Sequence, residues 1–333
     1  MFFDEDLWYT VLTSLGVGIA FGYVAQRGRF CMNSAVRNII LLRDLLIFRI
    51  YLLALLTAIA GTQTLLALEV IDIVRVKHFN WLANALGGFI FGMGVVLAGG
   101  CDSGSMYRMG EGLLGSWIAV LFFGFSAAVT GMGVLSPVRS YLRSFTIDLD
   151  GEALTLVNLT GWSRWSFVAL ALVFIVLGLL KGARDTHQSG WGWRTTGLLM
   201  GGIVTAAWYF SRKADFHYGF TFSGPTADLF AFVTVGVPWY PDWGMLAVVG
   251  VPLGSFLGAI AAGEFRLRTP PAHRLVQQAV GGVLMGFGAR IAGGCTIGQG
   301  ITNSATLALG SITTMLFIIL GGWAMVYFLF MRE

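Results

Sequence analysis

Residues 87–104 read GGFIFGMGVVLAGGCDSG, and residues 281–298 read GGVLMGFGARIAGGCTIG. Laid over one another at an offset of 194, the two stretches agree at nine of eighteen positions: seven glycines, one alanine and one cysteine. A chain with only three cysteines does not set two of them in the same phrase by chance. The two AGGC turns, at Cys101 and Cys295, therefore read as the paired centre of an internally repeated protein.

Composition says what kind of protein surrounds them. Of 333 residues, 56% are hydrophobic and 11% charged, against roughly 25% charged in a soluble domain, so the chain is expected to sit in a bilayer. Aromatic residues at 14% and 46 glycines suit interfacial belts and close helix packing. The net charge of +4 lies in no basic block and points to membrane topology, with no nucleic-acid partner. The acidic start MFFDEDLWYT lacks a basic n-region and is not expected to be a removable signal peptide. Cys31, Cys101 and Cys295 fit neither a metal-finger spacing nor an even-numbered disulfide framework, so they are expected to be free thiols.

Apolar runs of spanning length occur nine times, near 8–26, 46–68, 80–100, 112–135, 165–182, 192–210, 243–263, 273–294 and 306–330. Two connections are long: 136–164, with Pro137, Asp148, Asp150 and Asn158, and 211–242, with His217, Pro225 and Pro241. The first AGGC turn follows the third run and the second follows the eighth. An odd separation sends the two copies through the membrane in opposite directions. The expected fold is an all-α membrane protein of about nine helices in two inverted repeats with broken segments. Residues 1–135 form the first repeat, 136–190 a linker with the fifth span, and 191–333 the second repeat. Thirteen of the 21 Lys and Arg, Arg184 and Arg332 among them, fall on the face opposite the N-terminus. The positive-inside bias then puts the N-terminus outside and the C-terminus in the cytoplasm.

Glycine pairs beside a cysteine in apolar protein need a reason. Gly99, Gly100, Gly293 and Gly294 allow a helix to stop at membrane depth, tolerable only where the freed backbone is buried or faces a cavity. If a new helix starts after Cys101, Asp102 or Ser103 is the expected cap, and its amide end suits an anion. Neutral thiols there offer a weak donor and a soft sulfur, a pairing suited to a sulfur-containing anion. Arg290, five residues before Cys295, costs on the order of 3 kcal/mol at bilayer depth and should face a cavity, a ligand, Glu111, Asp102 or broken-helix carbonyls. Arg108 and Glu111 are expected to pair locally, and Gln299 offers donors and acceptors to a ligand. His78, His187, His217 and His273 fall in loops with no metal constellation, and no cofactor motif is present. Met32, Met93, Met106 and Met285 keep a copper(I) path in view, with ordinary packing the simpler account.

With GRFC at 28–31, LAGGCDSGSMYRMGEG at 97–112 and GARIAGGCTIGQGI at 288–301, the chain resembles the YeeE/YedE family of bacterial membrane proteins over nearly its whole length. The resemblance implies an inner-membrane carrier of sulfur compounds, thiosulfate above all, with an hourglass-shaped fold. It implies three central cysteines that pass the ion along by weak S–H···S hydrogen bonds, matched here by Cys31, Cys101 and Cys295. It implies a link in some relatives to a separate cytoplasmic sulfur-carrier protein of the TusA type, and in others to selenium metabolism. A histidine is common in the family where this chain has Gln299. Non-enzymatic uptake of thiosulfate is thus the leading expectation; a selenium or other soft-ion transporter and a membrane thiol sulfurtransferase are the alternatives.

Overall fold

A computed structural model describes residues 5–71, 78–148, 154–181, 190–236 and 241–331. Asp150, Arg184, His187 and Arg332 lie outside them. The described residues are mostly helical, with three isolated β-bridges and no strand among them. In chain order the helices are α1 (Glu5–Arg27), α2 (Met32–Leu41), α3 (Leu46–Ala67), α4 (Trp81–Ala98), α5 (Asp102–Gly110), α6 (Leu114–Gly131) and α7 (Ser136–Arg143). There follow α8 (Leu156–Thr160), α9 (Arg164–Lys181), α10 (Trp193–Lys213), α11 (Ser223–Val235), α12 (Trp243–Ala261), α13 (Ala272–Ala292) and α14 (Leu309–Phe330).

Each of the nine apolar runs coincides with a long helix, and seven of these are long and apolar enough to cross a membrane. The other two are α9, whose described apolar part is Arg164–Leu177, and α10, which carries Arg194 at its start and Arg212 and Lys213 at its end. The chain is an all-α multi-pass membrane protein. The connection 211–242 is less of a loop than its sequence suggests, because α11 occupies thirteen of its residues. Its apolar SGPTADLFAFVTV is too short to span and packs on α6 and α12.

Lipid gives no hydrophobic drive for helix pairing, so close approach of backbones at small residues carries it. Gly18 and Gly22 of α1 lie against the α12 backbone at Ala247 and Val251, in parallel, and Thr13 accepts from Trp243 Nε1 at 3.1 Å. On the other side α3 and α10 run parallel, with Gly61 against Thr205 and Gly201 against Ala54 and Thr57. At the centre α4 and α13 cross antiparallel: a Cβ on Gly87 would come 2.5 Å from Ala292 N, and one on Gly94 would come 2.7 Å from Met285 N. Helix α6 packs along α13, and α14 along α4. The parallel α1–α12 pairing thus resembles that of α3 with α10, and α6 lies on α13 as α14 lies on α4.

Candidate anion pathway

Both central helices stop on a left-handed glycine. Gly99 (φ +76°) ends α4 and Gly293 (φ +83°) ends α13, conformations that a Cβ disfavours. The freed carbonyls are then claimed by side chains. Arg108 Nη1 donates to Gly99 O; Gln299 Nε2 and Asn84 Nδ2 donate to Ala292 O at 2.9 and 3.1 Å. Gln299 also accepts at Oε1 from Ser311 Oγ (2.6 Å), so its amide is engaged in holding the second turn.

The cap of α5 is neither Asp102 nor Ser103, as the sequence suggested, but Cys101 itself. Its extended backbone (φ −70°, ψ 174°) aims Sγ at Gly104 N, 3.4 Å away, with Ser103 Oγ at 3.3 Å. Asp102 turns back to accept the Ser103 N–H at 2.8 Å. The second turn repeats this: Cys295 Sγ accepts from Gly298 N at 3.3 Å, and a short π-helical turn, Gly298–Asn303, follows. Cys31 begins α2, also from extended backbone (φ −145°, ψ 123°).

The three thiols are free and buried. Cys31 and Cys101 stand within reach of one another on either side of Gly104, whose added Cβ would lie 2.7 Å from one sulfur and 3.2 Å from the other. Cys295 stands beside the Asp102 carboxyl, and Thr296 beside it again. Where α2 begins on Cys31, α11 begins on Phe222, whose backbone N–H faces Cys295.

A polar cavity lies on each side of this cluster. At the face where α1 begins, about 810 Å³ is lined by Arg139, Arg143, Arg290, Thr221, Asp228 and Gly293, among others. Arg290 therefore lines this cavity and pairs with neither Glu111 nor Asp102, and the broken-helix carbonyls are taken by Arg108 at Gly99 and by Gln299 and Asn84 at Ala292. Its Nε is buried with no hydrogen-bond partner, as are Arg139 Nε and Thr221 Oγ1. Burial first, then the like charges of Arg139 and Arg290, hold the Arg143 guanidinium down at about 10. At the opposite face about 280 Å³ is lined by Arg29, Glu111, Glu264, Arg266 and Arg268. Glu111 pairs there with Arg29 (2.8 Å), which also meets Glu264 (2.7 Å), so the expected Arg108–Glu111 pair is not formed.

Thiols from three separate places in the chain are thus brought together with Gly99, Gly100, Gly293 and Gly294, while Arg290 sits one step out in the cavity. Arg139, Arg143, Thr221 and Asp228 join the site without having been singled out from the sequence. The arginines sit in a connection that reads as loop; only α7, whose Pro137 lies in its first turn, folds them back over Arg290.

Fold and site together define a multi-pass α-helical membrane protein with a buried thiol cluster between two charged cavities. The chain belongs to the sulphur transport family, that of YeeE and YedE, whose family model matches residues 27–324. It is 33% identical to a protein named thiosulfate transporter TsuA from Escherichia coli (strain K12), over 97% of this chain and 95% of that one. It is 34% identical to a thiosulfate transporter TsuA from Spirochaeta thermophila, over 97% of this chain and all of that one. A probable transporter YedE from Escherichia coli (strain K12) is 30% identical over half of this chain.

Proposed function

We propose that the chain carries thiosulfate, or a closely related small sulfur anion, across the bacterial inner membrane into the cytoplasm. The N-terminus lies outside, the C-terminus inside, and segments 1–135 and 191–333 act as inverted repeats joined by 136–190. The observation that carries the reading is the set of three buried free thiols between two arginine-lined cavities, in a chain so similar to transporters named for thiosulfate.

Arg139, Arg143 and Arg290 gather the anion in the outer cavity, where converging positive charge raises its local concentration. Thr221, which lines that cavity and abuts Gly298 next to Cys295, leads it inward. Cys295, then Cys101 and Cys31, meet it as weak S–H donors with polarisable sulfur, and it leaves past Arg29 into the second cavity. No covalent bond to the ion forms or breaks. Gly99, Gly100, Gly293, Gly294 and Gln299 hold the turns that present the thiols. A separate cytoplasmic sulfur-carrier protein of the TusA type would receive the ion.

Growth on thiosulfate as sole sulfur source, in a host stripped of other uptake routes, tests this. The intact chain restores growth, and Cys101→Ala and Cys295→Ala do not. Unchanged growth of both variants contradicts the thiol path, and a persulfide found on a cysteine by mass spectrometry would replace the conduit with a sulfurtransferase.

A further inference from the structure

Asp102 is an acid at the centre of an anion path. It is 1% exposed. Its Oδ1 accepts the Ser103 N–H, its Oδ2 closes no hydrogen bond, and no cationic nitrogen lies within 4.0 Å of it among the described residues. The titratable groups facing it are thiols, Cys101 of its own turn and Cys295 of the other. Of the helices packed on α5, α6 and α12 contain no charged residue, and α1 carries its charges only at its ends. Arg108, further along α5, is turned away to Gly99 O.

An ionised carboxylate in this position would oppose a dianion at the narrowest part of its route, with no counter-charge and little water to weaken the repulsion. Protonated, the same group is neutral and adds an O–H donor to those of the thiols. We infer that Asp102 is the proton-carrying residue of the pathway. A proton from the outer side adds to the carboxylate, the anion passes while the acid is neutral, and the proton is released on the inner side. At least one proton enters with each anion, and no bond within the anion changes. The inference rests on the sulfur-anion reading above.

The test is uptake of radiolabelled thiosulfate by proteoliposomes of the full chain, with a pH-sensitive dye outside. Thiosulfate entry through the wild type should make the external medium more alkaline. Its rate should rise as external pH falls, by at most about tenfold per unit for one coupled proton. Asp102→Asn, a permanently neutral mimic, should pass thiosulfate down its gradient with no dye response and no acid stimulation, while Asp102→Glu should keep both. Thiosulfate uptake by the wild type without proton movement overturns the inference whether or not the variants fold. So does proton-linked uptake by Asp102→Asn. If the wild type takes up no thiosulfate at all, the substrate reading itself fails, and the inference falls with it.

Discussion

Asp102 and Thr296 occupy equivalent positions in the two AGGC phrases, 194 residues apart, and stand beside one another at the centre of the molecule. The turns approach from opposite ends of antiparallel helices, so equivalent residues meet, and an acid meets a hydroxyl. Making the pair symmetric should be damaging. Two ionised carboxylates about 4 Å apart would repel by about 4 kcal/mol at an effective dielectric near 20, so such a pair holds one proton between them and keeps one negative charge beside the passing dianion. Thr296→Asp is expected to lower thiosulfate uptake by more than about tenfold, while Thr296→Ser stays near wild type. Equal uptake by the two variants would argue against close apposition of the turns.

Gly104 sets the spacing of Cys31 and Cys101. Gly104→Ala pushes a methyl into both sulfurs and should abolish most uptake while the protein still purifies as a monodisperse species. Gly202, in α10, has nothing within 4 Å of a new Cβ. Gly202→Ala should leave uptake unchanged and raise stability by up to about 1 kcal/mol, read from thermal melting in detergent. A harmless Gly104→Ala would contradict the tight thiol pair.

Arg290 is expected to act on capture. Arg290→Ala should raise the half-saturating thiosulfate concentration by about tenfold and flatten the dependence of uptake on salt, because long-range attraction is what salt screens. Arg290→Lys should retain part of both effects. An unaltered half-saturation would remove the cavity of Arg139, Arg143 and Arg290 from the proposed pathway.

Glu111, just beyond the end of α5, gives a pH signature. Burial raises its carboxyl above the ordinary glutamate range, outweighing the opposing pull of Arg29 and Arg108. The folded protein therefore holds this proton at pH values where the unfolded chain has lost it. The stability contributed is complete below the ordinary range and is lost as pH rises through the raised midpoint. Over that window the wild-type melting temperature should fall relative to Glu111→Gln. A difference that stays constant with pH would contradict the assignment.

The long helices could be read from the sequence because the apolar runs are of spanning length and either lack charges, as in α6 and α12, or carry them at their ends, as in α1. The central breaks were legible through glycine doublets beside the repeated cysteine. What escaped was set by contacts between distant parts of the chain. Nothing local marks Cys101 as its own helix cap in preference to Asp102. Nothing local brings Arg139 and Arg143 to Arg290 or turns Arg108 onto Gly99. Arg29 takes Glu111 across 82 positions, a partner no helical spacing suggests. Gln299 looked like a ligand group because a side-chain amide at a break has that capacity, but Ala292 and Ser311 engage it.

Uptake of radiolabelled thiosulfate into proteoliposomes by the wild type, Cys31→Ala, Cys101→Ala and Cys295→Ala tests the central claim most directly, with melting curves to establish that each variant is folded. A pathway lined by the three thiols predicts saturable uptake by the wild type and at least about a tenfold loss, or about 1.4 kcal/mol in transition free energy, in each folded variant. Wild-type rates in folded Cys101→Ala and Cys295→Ala would contradict it.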